Sequence, residues 1–139
     1  MNTIKISYDQ QSFQIKPSGD EIRWINNRIA RSAKKLDRGG LQKVITRIGS
    51  EGCTFSPATF KNGKRNKDNF EQQQLFALDF DNKDAKRKLA FDEVKERASQ
   101  YELPILFAYD TMSSTNHDKF RVVFLNDVSI ADRRVAEAM

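Results

Sequence analysis

Leu75-Phe76-Ala77-Leu78-Asp79-Phe80-Asp81-Asn82 is an apolar run that ends in two aspartates two residues apart. Successive side chains of a strand point to opposite faces, so Asp79 and Asp81 are expected on one face, roughly 6–7 Å apart. Leu78 and Phe80 are then expected to point the other way, into a core. Two carboxylates on one surface are costly unless water, a proton or a cation neutralises them. Divalent magnesium or manganese is the usual neutraliser of an oxygen-only pair. The plainer alternative is two solvated aspartates in a loop.

Downstream of this run the pattern is regular. A strand over 74–80 is followed by helical spacing over 84–100, with Phe91, Val94, Ala98 and Tyr101 on one face and Lys86-Arg87-Lys88 exposed at its start. Two β-rich segments follow at 104–109 and 120–125, and a last helix is expected from Ser129 or Asp132. The order β-α-β-β-α is that of the start of a βαββαβ unit, an RRM-like antiparallel sheet backed by helices. The expected class is therefore α+β, with the sheet lacking its final strand.

Upstream, residues 4–15 alternate polar and apolar around Asp9-Gln10-Gln11, which suggests a small hairpin. Pro17-Ser18-Gly19-Asp20 offers capping side chains for a helix over 20–37, with Ile22, Ile25, Ile29 and Ala33 at helical spacing. Arg38-Gly39-Gly40 reads as its stop. A second short helix fits 41–48, with Leu41, Val44, Ile45 and Ile48 on one face, closed by Gly49 and Gly52. Residues 53–74 read as a long polar connection holding Lys61-Asn62-Gly63-Lys64-Arg65-Asn66-Lys67 between Phe60 and Phe70. A loop of that length is either functional or disordered, and its cations suit a nucleic-acid backbone as well as they suit water.

The chain of 139 residues is long enough for one domain with a core, and its 31% charged and 38% hydrophobic residues suit a soluble globular protein. Nothing in it has the length of an apolar membrane span, and a single Cys with a single His leaves a structural zinc site out of reach. A cytoplasmic location with no membrane partner is the expectation. The net charge of +5 hides an asymmetry. Residues 1–74 carry fourteen Lys/Arg against seven Asp/Glu, and residues 75–139 carry ten against twelve. A basic half beside a half that displays an acid pair suits a polyanion met at a metal site.

The segment Asp110-Thr111-Met112-Ser113-Ser114-Thr115-Asn116-His117-Asp118-Lys119-Phe120-Arg121 is dense in hydroxyls and holds the only histidine. Hydroxyls and backbone N–H groups suit phosphate oxygens, while Lys and Arg supply the compensating charge. By itself it is also an ordinary hairpin turn.

Together, LFALDFDN, a helix, a strand ending FAYDTMSSTNH and then KFRVVF resemble the catalytic core of the archaeo-eukaryotic primase superfamily. The closest flavour is the primase-like domain of replication proteins from plasmids, phages and other mobile elements. GCTFSPATFKNGKRNKDNF resembles the segment before the acid motif in those proteins, so the likeness spans roughly residues 40–130. The resemblance implies a DNA-directed primase or polymerase that transfers nucleotides by a two-metal mechanism, with Asp79 and Asp81 as catalytic acids binding Mg2+ or Mn2+. It implies nucleoside triphosphate contacts from Ser113, Ser114, His117 and Arg121, and it departs from the family where a His should follow the small residues more closely. The DNA template would lie along Lys61, Lys64, Arg65 and Lys67, and a helicase domain or subunit is an expected companion. The family's third acid has no clear match; Asp110 and Asp127 are the stand-ins. The whole chain, 1–139, then reads as one primase-like domain from the N-terminal part of a larger protein, with a basic extension over 1–73 and a partial RRM-like core over 74–139. Activity is expected of the full-length protein rather than of such a fragment alone.

Two other functions fit parts of the pattern. A haloacid-dehalogenase-type phosphatase shares the hydrophobic-Asp-x-Asp motif but wants a later acid pair that is missing here. A non-catalytic RRM-like nucleic-acid binder would carry aromatics on the face that the acids occupy. A rolling-circle relaxase needs two nearby histidines, and the chain has one.

Overall fold

Ile4, Ile6 and Tyr8 alternate along β1 (Ile4–Tyr8), and all three are buried. The computed structural model of the chain describes residues 3–83 and 88–138. β1 is the central strand of a three-stranded sheet, antiparallel to β2 (Ala33–Leu36) on one side and to β3 (Phe55–Ser56) on the other. The hairpin expected over 4–15 does not form. The Asp9 N–H donates to the Thr54 carbonyl at 2.8 Å, and the Asp9 carboxylate accepts two bonds from Arg28, each 2.8 Å. These distant partners outcompete a local turn.

α1 (Gly19–Ile29) starts at a capping box in which Ser18 and Glu21 satisfy each other's backbone N–H groups. It buries Ile25 and Ile29 and ends eight residues before the expected stop at 37. Ala33-Lys34-Lys35-Leu36 instead pairs with β1, Ile4 opposite Leu36, because a tertiary ladder outweighs a modest helical preference. Arg38-Gly39-Gly40, expected as a stop, forms the first turn of α2 (Arg38–Glu51), where the Gly40 N–H donates to the Asp37 cap at 2.8 Å. α2 buries Leu41, Val44 and Ile48 and ends at Gly52, whose φ of +73° is the left-handed conformation that favours glycine. Cys53 follows, buried, and that burial raises the pKa of its thiol.

The polar connection expected over 53–74 is ordered. It holds β3, β4 (Ala58–Phe60), a short 3-10 turn (Lys67–Asn69) and the start of β5 (Phe70–Asp81). Asn62 and Gly63 both have positive φ, 58° and 62°, and the Lys64 N–H donates to the Lys61 carbonyl at 3.3 Å. That is a type I′ turn, the geometry for which Asn-Gly is the strongest local signal. β4 runs antiparallel to β5, with a bulge between Thr59 and Phe60. Nearby, the Glu71 carboxylate accepts from Lys5 Nζ at 2.8 Å and Thr59 Oγ1 at 2.6 Å, and the Lys5 bond chiefly holds its pKa below the usual carboxylate range. Gln72 donates to the Lys5 carbonyl and to Thr59, and accepts from Ser129 at 2.6 Å.

The remaining elements are α3 (Phe91–Gln100), β6 (Ile105–Asp110), β7 (Lys119–Ile130) and α4 (Arg133–Ala138). The second sheet has the order β4-β5-β7-β6, so the last strand of the β-α-β-β run lies between the first two, as in a βαββ half-unit. The fold class is α+β. β5 and β7 are twelve residues each, longer at both ends than the sequence pattern suggests. α3 begins at Phe91 instead of 84, with Ala90 before it in extended conformation; Lys86 and Arg87 lie outside the described residues. Val94 of α3 packs with Phe120 and Val122, joined by Phe80, Leu89, Ile105, Ala108 and Phe124. Phe80 stacks on Phe120 at 5.1 Å and Phe91 meets Phe120 edge-on at 5.9 Å. Leu78, expected in this core, is 54% exposed.

Residue contacts form two units. One holds the residues up to Gln74 together with those from Asp127 onward, and the other is Leu75–Asn126. No described helix is long and apolar enough to cross a membrane.

Arg28→Met strands the Asp9 carboxylate, 3% exposed, without its cation, at an expected cost of about 3 kcal/mol. A fall in the urea midpoint at unchanged slope reads it; an unchanged midpoint removes this pair from the supports of the fold. Glu71 has a depressed folded pKa, so its contribution is present above the unfolded carboxylate value and is lost as pH falls through the folded one. Between about pH 5 and pH 3 the wild-type melting temperature should therefore drop more steeply than that of Glu71→Gln.

Candidate functional site

β5 and β7 bring Asp79 and Asp81 opposite two cations. Asp79 accepts from Arg121 Nε at 2.5 Å and Nη2 at 3.2 Å, and Asp81 lies 3.6 Å from Lys119 Nζ. Between them Phe80 faces Phe120, and the Asn82 N–H donates to the Asp118 carbonyl at 2.8 Å. These pairs descend one strand as they climb the other, which is an antiparallel register with each acid directly across from a base. The two aspartates do share one face, and their side chains are 64% and 65% exposed.

Arg121 is fixed from a third strand. Its Nη1 donates to the Tyr109 hydroxyl at 2.8 Å, its guanidinium lies 5.7 Å from that ring's centre, and Tyr109 is its register partner on β6. The Asp79 bonds raise the Arg121 pKa further above its ordinary value, while burial raises that of Tyr109. Phe107 stacks against Tyr109 at 6.0 Å, two residues along the same face. The face thus carries two carboxylates, two cations and two aromatic rings.

The other residues expected at the nucleotide are placed differently. Ser113 is exposed. Ser114 Oγ accepts from the Lys119 N–H at 3.2 Å and contacts Asp118 at 3.4 Å, so it shapes its own loop. Asp118 accepts from the Thr115 N–H at 2.7 Å, the bond that chiefly lowers its pKa. His117 is 86% exposed and its Nδ1 lies 2.5 Å from Asp110 Oδ2. Both Asn116 and His117 adopt positive φ, 55° and 60°. The pair borders a groove of about 510 Å³ walled by Phe91, Tyr109 and Phe120. Only Arg121 of the four expected nucleotide contacts touches the acid pair.

Asp110, one stand-in for a third acid, is engaged with His117; the side chain of the other, Asp127, lies outside the described part. Among the described residues no three His, Cys, Asp or Glu side chains cluster as a metal cage. Two open carboxylates do fit an ion of the magnesium or manganese kind, which keeps waters and takes phosphate oxygens to complete its shell. Lys61, Lys64, Arg65 and Lys67 are exposed around the type I′ turn and belong to the other unit of the chain.

Sequence reading assigns no role to Tyr109, Asn82 or Asp118. Lys119 and Arg121 carry a readable signal, since they alternate in a strand with the same period as the two acids. Asn82 is buried and closes the segment after the acid pair, donating to the Leu89 carbonyl at 2.7 Å and accepting from the Leu89 N–H at 2.9 Å. Nothing in the sequence marks a bond across that interval. Compared with protein-family models, with curated proteins and with solved structures, the chain matches none of them.

Asn82→Ala leaves both Leu89 backbone groups without this partner and should lower stability by about 2 kcal/mol. Hydrogen exchange at the Leu89 amide is the direct measurement; protection equal to wild type would show that the bond is dispensable.

Proposed function

We propose that this chain is the nucleotide-handling part of a primase-type nucleotidyltransferase, working in the cytoplasm on a DNA template with nucleoside triphosphates. The replication machinery of a plasmid, phage or other mobile element, with a helicase as companion, is the setting that suits it. The observation that carries the reading is the arrangement on β5 and β7: Asp79 and Asp81 on one open face, with Arg121 and Lys119 directly across. Carboxylates for a metal and cations for phosphates are the two halves of a metal–triphosphate site.

Magnesium or manganese held by Asp79 and Asp81 would neutralise phosphate oxygens. The residues of the chain do the rest. Arg121 and Lys119 neutralise the acids. Exposed ion pairs are worth about 1 kcal/mol or less, so Lys119 gives up Asp81 cheaply. A triphosphate offers both cations more negative charge than the carboxylates do, and the Arg121 fork suits two phosphate oxygens at once. Tyr109 keeps that fork oriented through its hydroxyl and ring.

Manganese and dATP titrated together, followed by electron paramagnetic resonance, test the site. The double variant Asp79→Asn, Asp81→Asn should weaken manganese binding at least tenfold, and Arg121→Met should weaken dATP more than manganese. Manganese binding indifferent to the double variant would sink the reading.

A second reading, an RRM-like binder without catalysis, is favoured by one observation: Phe107 and Tyr109 stack side by side on the face beside Arg121. Bases stack on such rings in sheet-face binders. Oligonucleotide binding that survives chelation and is lost in Tyr109→Ala would select it.

A further inference from the structure

A bulge at Glu71 of β5 sets Phe60 of β4 opposite Phe70 in the ladder. Both residues line a groove of about 280 Å³, together with Arg65, Lys67 and Arg133. Arg65 lies with its guanidinium 5.9 Å from the Phe60 ring centre and donates to Asn26 Oδ1 at 2.7 Å. No carboxylate among the described residues pairs with it, whereas Arg133 is answered by Glu137 at 3.1 Å. Although the residue as a whole is exposed, crowding around its guanidinium lowers the Arg65 pKa.

We propose that this groove binds one nucleotide of a single-stranded nucleic acid, the base lying on Phe60 and Phe70 and its phosphates meeting Arg65 and Lys67. Charge complementarity names the occupant: among the described residues cations outnumber acids in the lining, and the only lining carboxylate there, Glu137, already has a partner. Flat rings flanked by Arg and Lys are the usual elements of a single-strand site, where stacking tolerates any base and the cations follow the backbone. The groove is too small for a folded partner and does not suit duplex DNA, whose bases are closed to stacking. Of the four basic residues singled out in the sequence, Arg65 and Lys67 line the groove, and Lys61 and Lys64 do not. The inference extends the proposed function to the other unit and rests on different residues.

Fluorescence anisotropy of a labelled oligothymidylate on the full chain, repeated over a range of salt, is the test. Phe60→Leu should weaken the single strand about fivefold or more and leave duplex binding alone. Arg65→Gln and Lys67→Gln should each cut the slope of log affinity against log salt by about 0.7. Arg65 is exposed enough that its variant tests the site even if Phe60→Leu melts early. An oligouridylate arm names the strand: tighter binding of either oligomer supports the site. Duplex bound as tightly as single strand, with neither Phe60→Leu nor Arg65→Gln altering the result, overturns it. The manganese titration on the same preparations reports the acid face separately, so either idea can fail without the other.

Discussion

The register between β5 and β7 is the constraint on which the acid face depends. A side-chain period of two means that a slip of one residue would send Asp79 and Asp81 into the core of Phe120 and Val122, and would expose Phe80. Register is therefore held from both faces. Beneath, the Phe80–Phe120 stack and the Val94 contact reward one alignment; above, two acid–base pairs match only in that alignment. The apolar face supplies most of the energy, since fully buried side chains of this size are each worth roughly 2–3 kcal/mol and exposed ion pairs far less. The charged face supplies specificity of alignment.

That division of labour leaves the acid–base pairs a minor part of the energy of strand pairing. Arg121 and Lys119 add little to the hold between the strands, because exposed ion pairs are weak. Tyr109 differs from them. It is held on β6 and orients the Arg121 guanidinium.

Elements that rest on local pattern were legible in the sequence. The Ser18 cap, the apolar face of α2 and the shared face of Asp79 and Asp81 follow from spacing alone. Elements that depend on distant partners were not. Ala33-Lys34-Lys35-Leu36 has no strand signal until Ile4–Tyr8 lies beside it, and Asp9 looks like a turn residue until Arg28 arrives. Asn62-Gly63 is a strong local signal for the I′ turn, although the lysines around it suit a solvated basic loop equally well. At the candidate site, the acids and the bases were visible separately. Their mutual pairing was not, because it is fixed by a register that no single segment encodes.

Cys53 has a further consequence. It is the chain's only thiol, 4% exposed, directly after the left-handed Gly52 that ends α2. Because alkylating reagents need an accessible thiolate, the folded chain should react slowly and each local opening around α2 and β3 should be recorded as one irreversible mark. The sequence thus contains a built-in chronometer for the breathing of one unit, readable by mass without any engineered label.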